Sequence, residues 1–357
     1  MSRNVLILGA SYGSLFATKL LMAGHRVTLV CTQATAELIN REGTVVRFPI
    51  KGWQGLLQVP SAALPGSLDA CIPEDADPAQ YDLVVLGMQE AQYGERSVRG
   101  LMARIARSSK PCLAIMNMPP LPYLKRVAAL EDVDFSHCYA DPTVWDGFEP
   151  GLMSLASPDP QAFRPQGEPK NVLQVGLPTN FKAARFGSTE HTALLRGLET
   201  DIENARFAGK SDLELPVKLK VHESLFVPMA KWPMLIAGNY RCIRPQEMIP
   251  IREAVHGNVD RSREIYNWVA NLCMGLGAHA ADLVPFEKYA KAAEGLAKPS
   301  SAARALFSGA RHIERVDNLV YSIAGRLGAK SAPLREIVRL VDDRLAMNRH
   351  AAEPVAA

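Results

Sequence analysis

Residues 4–8 (Asn-Val-Leu-Ile-Leu) run apolar without a polar break after Asn4, the pattern of a short buried strand. Gly9-Ala10-Ser11-Tyr12-Gly13 interrupts the run. Residues 13–23 then carry Leu15, Phe16, Leu20 and Met22 with alanines between them, which predicts a helix packed on a sheet. Gly24 closes that helix, and Arg26 to Cys31, rich in Val and Leu, predicts a second strand. Strand, glycine turn, helix and strand within about 30 residues make a βαβ unit, with parallel pairing and a right-handed crossover. Arg3 ahead of an apolar run imitates a signal peptide. Gly9, Ser11, Gly13 and Lys19 break that run, so the segment reads as part of the mature fold.

Further on, Leu83–Leu86 predicts a strand, Glu95–Ala106 a helix and Cys112–Met116 another strand. Residues 40–80 read as loops and short strands around the sheet, and 140–185 as an antiparallel extension leading to a linker. From about 187 long helical patterns dominate. On 302–327, Leu306, Ala310, Ile313, Val320 and Ala324 fall on one helix face. Asn348–Ala357 lacks any period and reads as a frayed tail. The expected division is 1–186 for an α/β domain, 187–347 for an all-helical domain and 348–357 for the tail.

Composition narrows the class. The 357 residues are 48% hydrophobic and 22% charged, ordinary for a two-domain globular chain and not for a disordered one. Forty Lys+Arg against 37 Asp+Glu is too even for a dedicated nucleic-acid binder. No uncharged apolar stretch reaches the ~18 residues of a membrane span, so no membrane association is expected. The six cysteines form no CxxC or CxxH cluster, which argues against structural zinc or a disulfide framework and for a reducing, cytoplasmic setting. His137-Cys138 and His222-Glu223 lack further ligands at metal spacing, and no metal is expected.

The turn Gly9-Ala10-Ser11-Tyr12-Gly13 carries the first chemistry. A helix N-terminus offers free N–H groups and partial positive charge, so a phosphate is favoured there if the backbone can be approached closely. The turn is one residue shorter than G-x-G-x-x-G, with Ser11 near the close-approach position, and its strand–turn–helix–strand context predicts a dinucleotide. Cys31-Thr32-Gln33 stands where an acidic residue would bind a ribose 2′-OH. No Arg adjoins these residues in sequence, Arg41 being the nearest downstream. NAD and NADP both stay open, with a lean to NADP.

The stretch Gly13-Ser-Leu-Phe-Ala-Thr-Lys-Leu-Leu-Met-Ala-Gly-His25 resembles the first helix of the ketopantoate reductase (2-dehydropantoate 2-reductase) family, within the 6-phosphogluconate-dehydrogenase-like group. Asp82–Gln92 resembles the family's strand ending in K-x-x-Q, and Ala114-Ile-Met-Asn117 the strand before its N-G motif. Lys231 with Asn239 resembles the K-x3-N-x3-N helix bearing the catalytic lysine. Ser300-Ser301 with Arg311-His312-Ile313-Glu314 resembles the S-S and T-E-I-D region, and Gly328 and Pro333 the closing G-x-x-x-P. There are departures. Gln89 replaces the family's lysine, Leu235 its middle asparagine, and Met118 the glycine after Asn117, while Pro233 must kink or restart the lysine helix.

The resemblance implies an N-terminal Rossmann-type parallel sheet, a C-terminal helical domain that dimerises, and an NAD(P)-dependent dehydrogenase or reductase acting on a small 2-oxo acid. Gly9, Ala10, Ser11, Tyr12, Gly13, Thr32 and Gln89 would bind the cofactor. Lys231 would be the general acid, Glu314 or His312 the acidic partner, and Asn117, Asn239, Ser300 and Ser301 would orient the substrate. Two alternatives stay open. One is an opine-dehydrogenase-like imine reduction, in which His312 with Asp317 would matter. The other is a nucleotide-binding regulator without catalysis.

Overall fold

The computed structural model describes residues 2–52, 54–207 and 213–351. The chain divides into two units. The first comprises residues up to Met88, Gln92–Arg126 and Thr143–Pro228; the second comprises Gln89–Ala91, Val127–Pro142 and the residues from Met229 on.

The N-terminal βαβ unit is present as β1 (Asn4–Leu8), α1 (Gly13–Met22) and β2 (Arg26–Val30), with β1 and β2 parallel and Val5 facing Val27. After α2 (Gln33–Glu42), β3 (Val45–Pro49) and β4 (Leu56–Pro60) come β5 (Ser67–Cys71), β6 (Leu83–Leu86), α3 (Arg96–Ser108), β7 (Cys112–Ile115) and the short α4 (Leu121–Leu124). The unit closes with β8 (Met153–Ser157), β9 (Gln161–Phe163), β10 (Val172–Leu177), β11 (Phe181–Ala184), α5 (Thr189–Asn204) and β12 (Leu219–His222). Eight strands form one sheet in the order β12-β11-β8-β7-β6-β1-β2-β5. It is parallel from β5 to β8 and turns antiparallel only where β11 meets β8. Of the short strands expected within 40–80 and 140–185, β3, β4, β9 and β10 form a smaller sheet, β4-β3-β10-β9, while β5, β8 and β11 join the large one.

Every residue of α1 is buried. The helix has the large sheet on one side and α5 and β3 on others, so no face is left for water. Phe16 and Tyr12 both meet the Phe181 ring edge-on, at 5.3 and 5.8 Å between centroids. Lys19 lies in this packing only 2% exposed. Its Nζ donates to the carbonyls of Leu215 (3.0 Å) and Pro216 (3.2 Å), and burial pulls its pKa down to about 7.

Three expectations shift. The first unit continues past 186 to Pro228, because β12 pairs with β11 and α5 packs on α1 and β12. α2 is absent from the pattern reading because it buries only Thr35, Ala36 and Ile39 and is otherwise polar. The single helix face read across 302–327 is broken: Leu306 lies in one helix, Val320 and Ala324 in the next, and Ala310 and Ile313 between them. Ser308 ends the first, and Gly309, at φ +88°, turns the chain before the second.

The second unit is helical among its described elements: α6 (Trp232–Met234), α7 (Ile251–His256), α8 (Val259–Gly275), α9 (Phe286–Ala293), α10 (Ser301–Phe307), α11 (Val316–Arg326) and α12 (Ala332–His350). Asn348–His350, expected in the tail, form the last turn of α12; residues 352–357 lie outside the described residues. Tyr266 stacks on Tyr289 at 5.4 Å and meets the edge of Phe286, binding α8 to α9. Asp317, fully buried, receives both Arg315 Nε and a terminal Arg315 nitrogen at 3.0 Å.

Lys19 sets a pH dependence. Its pKa is about 7 folded against 10.5 free, so between those values the unfolded chain holds a proton that the folded one has shed. Stability should rise with pH across that window and stay flat below it. In urea unfolding, the stability of wild type relative to Lys19→Met should increase by at most about 1.4 kcal/mol per pH unit from pH 7 towards 10. A constant difference would show that the ammonium persists in the fold.

Candidate functional site

The candidate residues fall into two groups, one in each unit. In the first unit they gather at the C-terminal ends of adjacent parallel strands, where open α/β sheets place ligands. Gly9 follows β1 at φ +101°, a conformation that suits glycine. A Cβ there would sit 2.6 Å from Met88 Cγ and 3.1 Å from the Gly87 carbonyl oxygen. A Cβ on Gly13 would meet Ile7 Cγ2 at 2.7 Å, so the bare glycine lets α1 lie directly on β1. No side chain caps the start of α1, and its first turn holds no acidic residue. The Ser14 and Leu15 N–H groups bond back to the Ser11 and Tyr12 carbonyls at 3.1 Å, so an incoming anion would meet the partial charge at that end and the N–H groups of the turn ahead of them, and the turn fits the pyrophosphate of a dinucleotide.

Ser11 and Tyr12 lie in the same turn. The Tyr12 hydroxyl donates to the Pro160 carbonyl at 2.7 Å, so its polar end is engaged by protein. Thr32 is the N-cap of α2, just beyond β2. Asn117 follows the end of β7 and is half-buried. Burial pushes the Cys31 thiol up to about 11, an effect that Arg164 opposes.

In the second unit, Lys231 is half-buried at the end of a 3-10 turn, Pro228–Lys231, that runs on into α6. Pro233 does restart the helix, since it sits in the first turn of α6 where its missing N–H is harmless. Leu235–Asn239 then adopts a π-helical turn, and Tyr240–Cys242 a 3-10 turn. Eight residues of α-helix would leave Asn239 about 80° past the face of Lys231. The wider π turn advances less per residue and so reduces that offset.

A π turn leaves carbonyls without their α-helical donors, and here side chains take them. The Tyr289 hydroxyl donates to the Met234 carbonyl (3.1 Å), an Arg241 guanidinium nitrogen to that of Ala237 (3.1 Å) and Ser300 Oγ to that of Asn239 (2.7 Å). Gly238 leaves room for Tyr289, since a Cβ there would lie 1.9 Å from its hydroxyl. Ser300, expected to orient substrate, spends its hydroxyl otherwise. It caps α10 by accepting from Ala303 N (3.1 Å) and is only 2% exposed. Ser301 is exposed.

Glu314 is buried, at 8% exposure, whereas His312 is exposed. The Tyr240 hydroxyl donates to the Glu314 carbonyl at 2.5 Å and accepts from Val316 N at 3.1 Å, fixing Glu314 beside the end of the π turn. Asn239, Ser300 and Glu314 are thereby gathered around one helix end. Asp317 has both oxygens on Arg315, so the His312–Asp317 pairing needed for an opine-type site finds its carboxylate engaged elsewhere.

Gln89 is exposed and groups with the second unit. Its neighbour Glu90 is 1% exposed, and the Ala140 N–H donates to its carboxyl at 3.2 Å. Burial lifts its pKa to about 8, and the nearby Glu314 and Asp141 push the same way. The sequence reading passed over Glu90 because a lone acid after a strand looks like surface. Only its burial marks it.

No family model matches this chain, and no curated protein matches it. Solved structures do. The 2-dehydropantoate 2-reductase from Methylococcus capsulatus superposes with a TM-score of 0.67 at 12% identity, covering 99% of each chain. A ketopantoate reductase from Ralstonia eutropha JMP134 gives 0.61 at 16% identity over 97% of this chain and 100% of its own. D-mandelate dehydrogenase, solved with NADH and anilino(oxo)acetate, gives 0.65 at 13% identity over 97% of this chain and 99% of its own. The architecture, a Rossmann-type sheet followed by helices, is the one these solved structures share. More particularly, it is the ketopantoate-reductase-like fold.

Glu90 yields a second pH dependence. Its pKa is about 8 folded against 4.5 free, so the protonated acid is favoured by folding and that contribution is complete below pH 4.5. It should be lost progressively as pH rises through 8. Glu90→Gln keeps the shape and removes the titration, so its stability relative to wild type should grow between pH 5 and 8. A parallel pair of stability–pH curves would disprove a protonated Glu90.

Proposed function

We propose that the protein is an NAD(P)H-dependent reductase of a small carbonyl acid, with Lys231 as proton donor. The observation that carries this reading is a phosphate-accepting glycine turn in a chain that also bears Lys231, Asn239 and Glu314 on the helices of a ketopantoate-reductase-like fold. The glycine turn, with Thr32 beyond β2, would hold the dinucleotide. Bound there, the cofactor would supply the reducing equivalent to the substrate carbon. Lys231 would donate the proton that the carbonyl oxygen needs as negative charge builds on it. Glu314 would accept a hydrogen bond on the reacting side, and its burial supports it over His312 for that role. Asn117 and Asn239 supply neutral amide groups that orient a polar substrate without competing charge.

The missing cation at Gln89 separates this chain from the ketopantoate reductases to which its sequence is similar, and supports a substrate other than ketopantoate. An imine formed from an amine and a keto acid carries a positive charge, which the buried acid Glu314 would favour when ionised. Reduction of an imine is therefore the second reading. In either case a homodimer through the helical unit is the assembly that the resemblance suggests. Oxidation of NADPH and NADH with a panel of 2-oxo acids, with and without amines, separates the two readings; no turnover with any of them would favour a regulator.

Two variants test the parts. Gly13→Val should abolish dinucleotide binding in calorimetric titration, because its side chain collides with Ile7 and lifts α1 from β1, while the helical unit keeps its own unfolding transition. Unchanged affinity would refute the turn's role. Lys231→Ala should lower turnover by roughly 10²–10⁴ with little change in cofactor affinity, and should remove the alkaline limb of the pH–rate profile. Activity within a factor of two of wild type would make Lys231 an ordinary surface residue.

A further inference from the structure

The amino ends of β1, β2 and β5 carry a polar face that the reductase reading does not use. Strands of a parallel sheet buried on both faces read as near-continuous apolar runs. β1 after Asn4 and the whole of β6 are of that kind. β2 and β5 alternate instead. Val27 and Leu29 of β2, with Leu68 and Ala70 of β5, pack in the core that holds α1. Successive side chains point to opposite faces, so Arg26, Thr28 and Asp69 lie on the other face. The register sets Asn4 beside Arg26 and Thr28 beside Asp69, which joins the four into one patch. Further along that face Leu6, Leu8 and Val30 are buried, so the polarity is confined to the amino ends.

The patch is concave. Asn4, Arg26, Thr28 and Asp69, with Gln80 and Tyr81 ahead of β6, line a cavity of about 210 Å³. Sites for drug-sized ligands run to ~300–1,000 Å³, so an occupant here has to be smaller. Arg26 and Asp69 are exposed, and among the described residues neither is in an ion pair. Two strand steps and one strand spacing separate their Cα atoms by roughly 8 Å. A guanidinium and a carboxylate therefore flank one small space. The glycine turn follows the other end of β1, so the length of that strand, about 13 Å, separates the cavity from the dinucleotide site.

We infer that this cavity binds a small zwitterion, a free amino acid, with its carboxylate on Arg26 and its ammonium on Asp69. Arg26 presents a planar fork of donors to a carboxylate, and Asp69 presents acceptor oxygens to an ammonium. Asn4, Thr28, Gln80 and Tyr81 add neutral donors and acceptors around both heads. A singly charged molecule matches only one of the two flanking charges. The site lies apart from the reductase machinery and does not rest on that reading.

Ligand-observed NMR titration of the full chain with glycine, L-alanine and L-serine tests it, with acetate and methylammonium as singly charged controls. Wild type should bind at least one of the amino acids with a Kd below ~1 mM, and the controls at least ~10-fold more weakly. Arg26→Met and Asp69→Asn should each weaken amino-acid binding by roughly 10–100-fold, the range for a lost hydrogen bond to a charged group. Asp69→Asn keeps the shape of the site, so its loss of binding reports the missing charge and not a damaged fold. No binding of any of the three amino acids by wild type overturns the assignment. So does equal binding of a control, or unweakened binding in either variant, which would place the ligand elsewhere.

Discussion

The first unit depends on how closely the backbone of α1 approaches the central strand. Ile7 Cγ2 occupies the place that a Gly13 side chain would need, and Met88 Cγ the place of one on Gly9. Even a Cβ on Gly87, after β6, would lie 3.0 Å from the Leu8 carbonyl oxygen. These contacts put the start of α1 directly over the end of β1. They also set the helix deep enough that all its residues are buried between the large sheet, α5 and β3. The burial of Lys19 follows from that depth. Its two carbonyl partners need only the two hydrogens of a neutral amine, which explains how the fold holds a lysine whose burial favours losing the charge.

The second unit solves a different problem. A π turn loses regular helical bonding, and its released carbonyls would be costly if left without donors. Tyr289, Arg241 and Ser300 come from the helices around it, or from its own end, and supply donors. The distortion is therefore built by tertiary contacts at several points. It lies between Lys231 and Asn239, the pair whose relative facing it alters. Tyr240 continues the same scaffold by bracing the backbone of Glu314.

The buried acids contrast in a useful way. Asp317 is neutralised by a bidentate arginine that also reaches Asp342 at 2.7 Å, an arrangement that holds α11 to α12. Glu90 has a backbone N–H and acidic neighbours, so burial leaves it favouring its proton.

Local pattern was enough to locate the N-terminal βαβ unit, the strands at 83–86 and 112–116, the helix after Glu95 and the restart at Pro233. In these segments apolar runs, glycine geometry and proline's missing N–H act within a few residues. The glycine turn was legible for the same reason. What local pattern could not decide was anything set by distant contacts. The polar α2, the break at Gly309 and the extension of the first unit through α5 and β12 all depend on what packs against them. Ser300 read as a substrate ligand until the Asn239 carbonyl and α10 took its hydroxyl. Burial separated Glu314 from His312, and lifts the pKa of Glu90 to about 8.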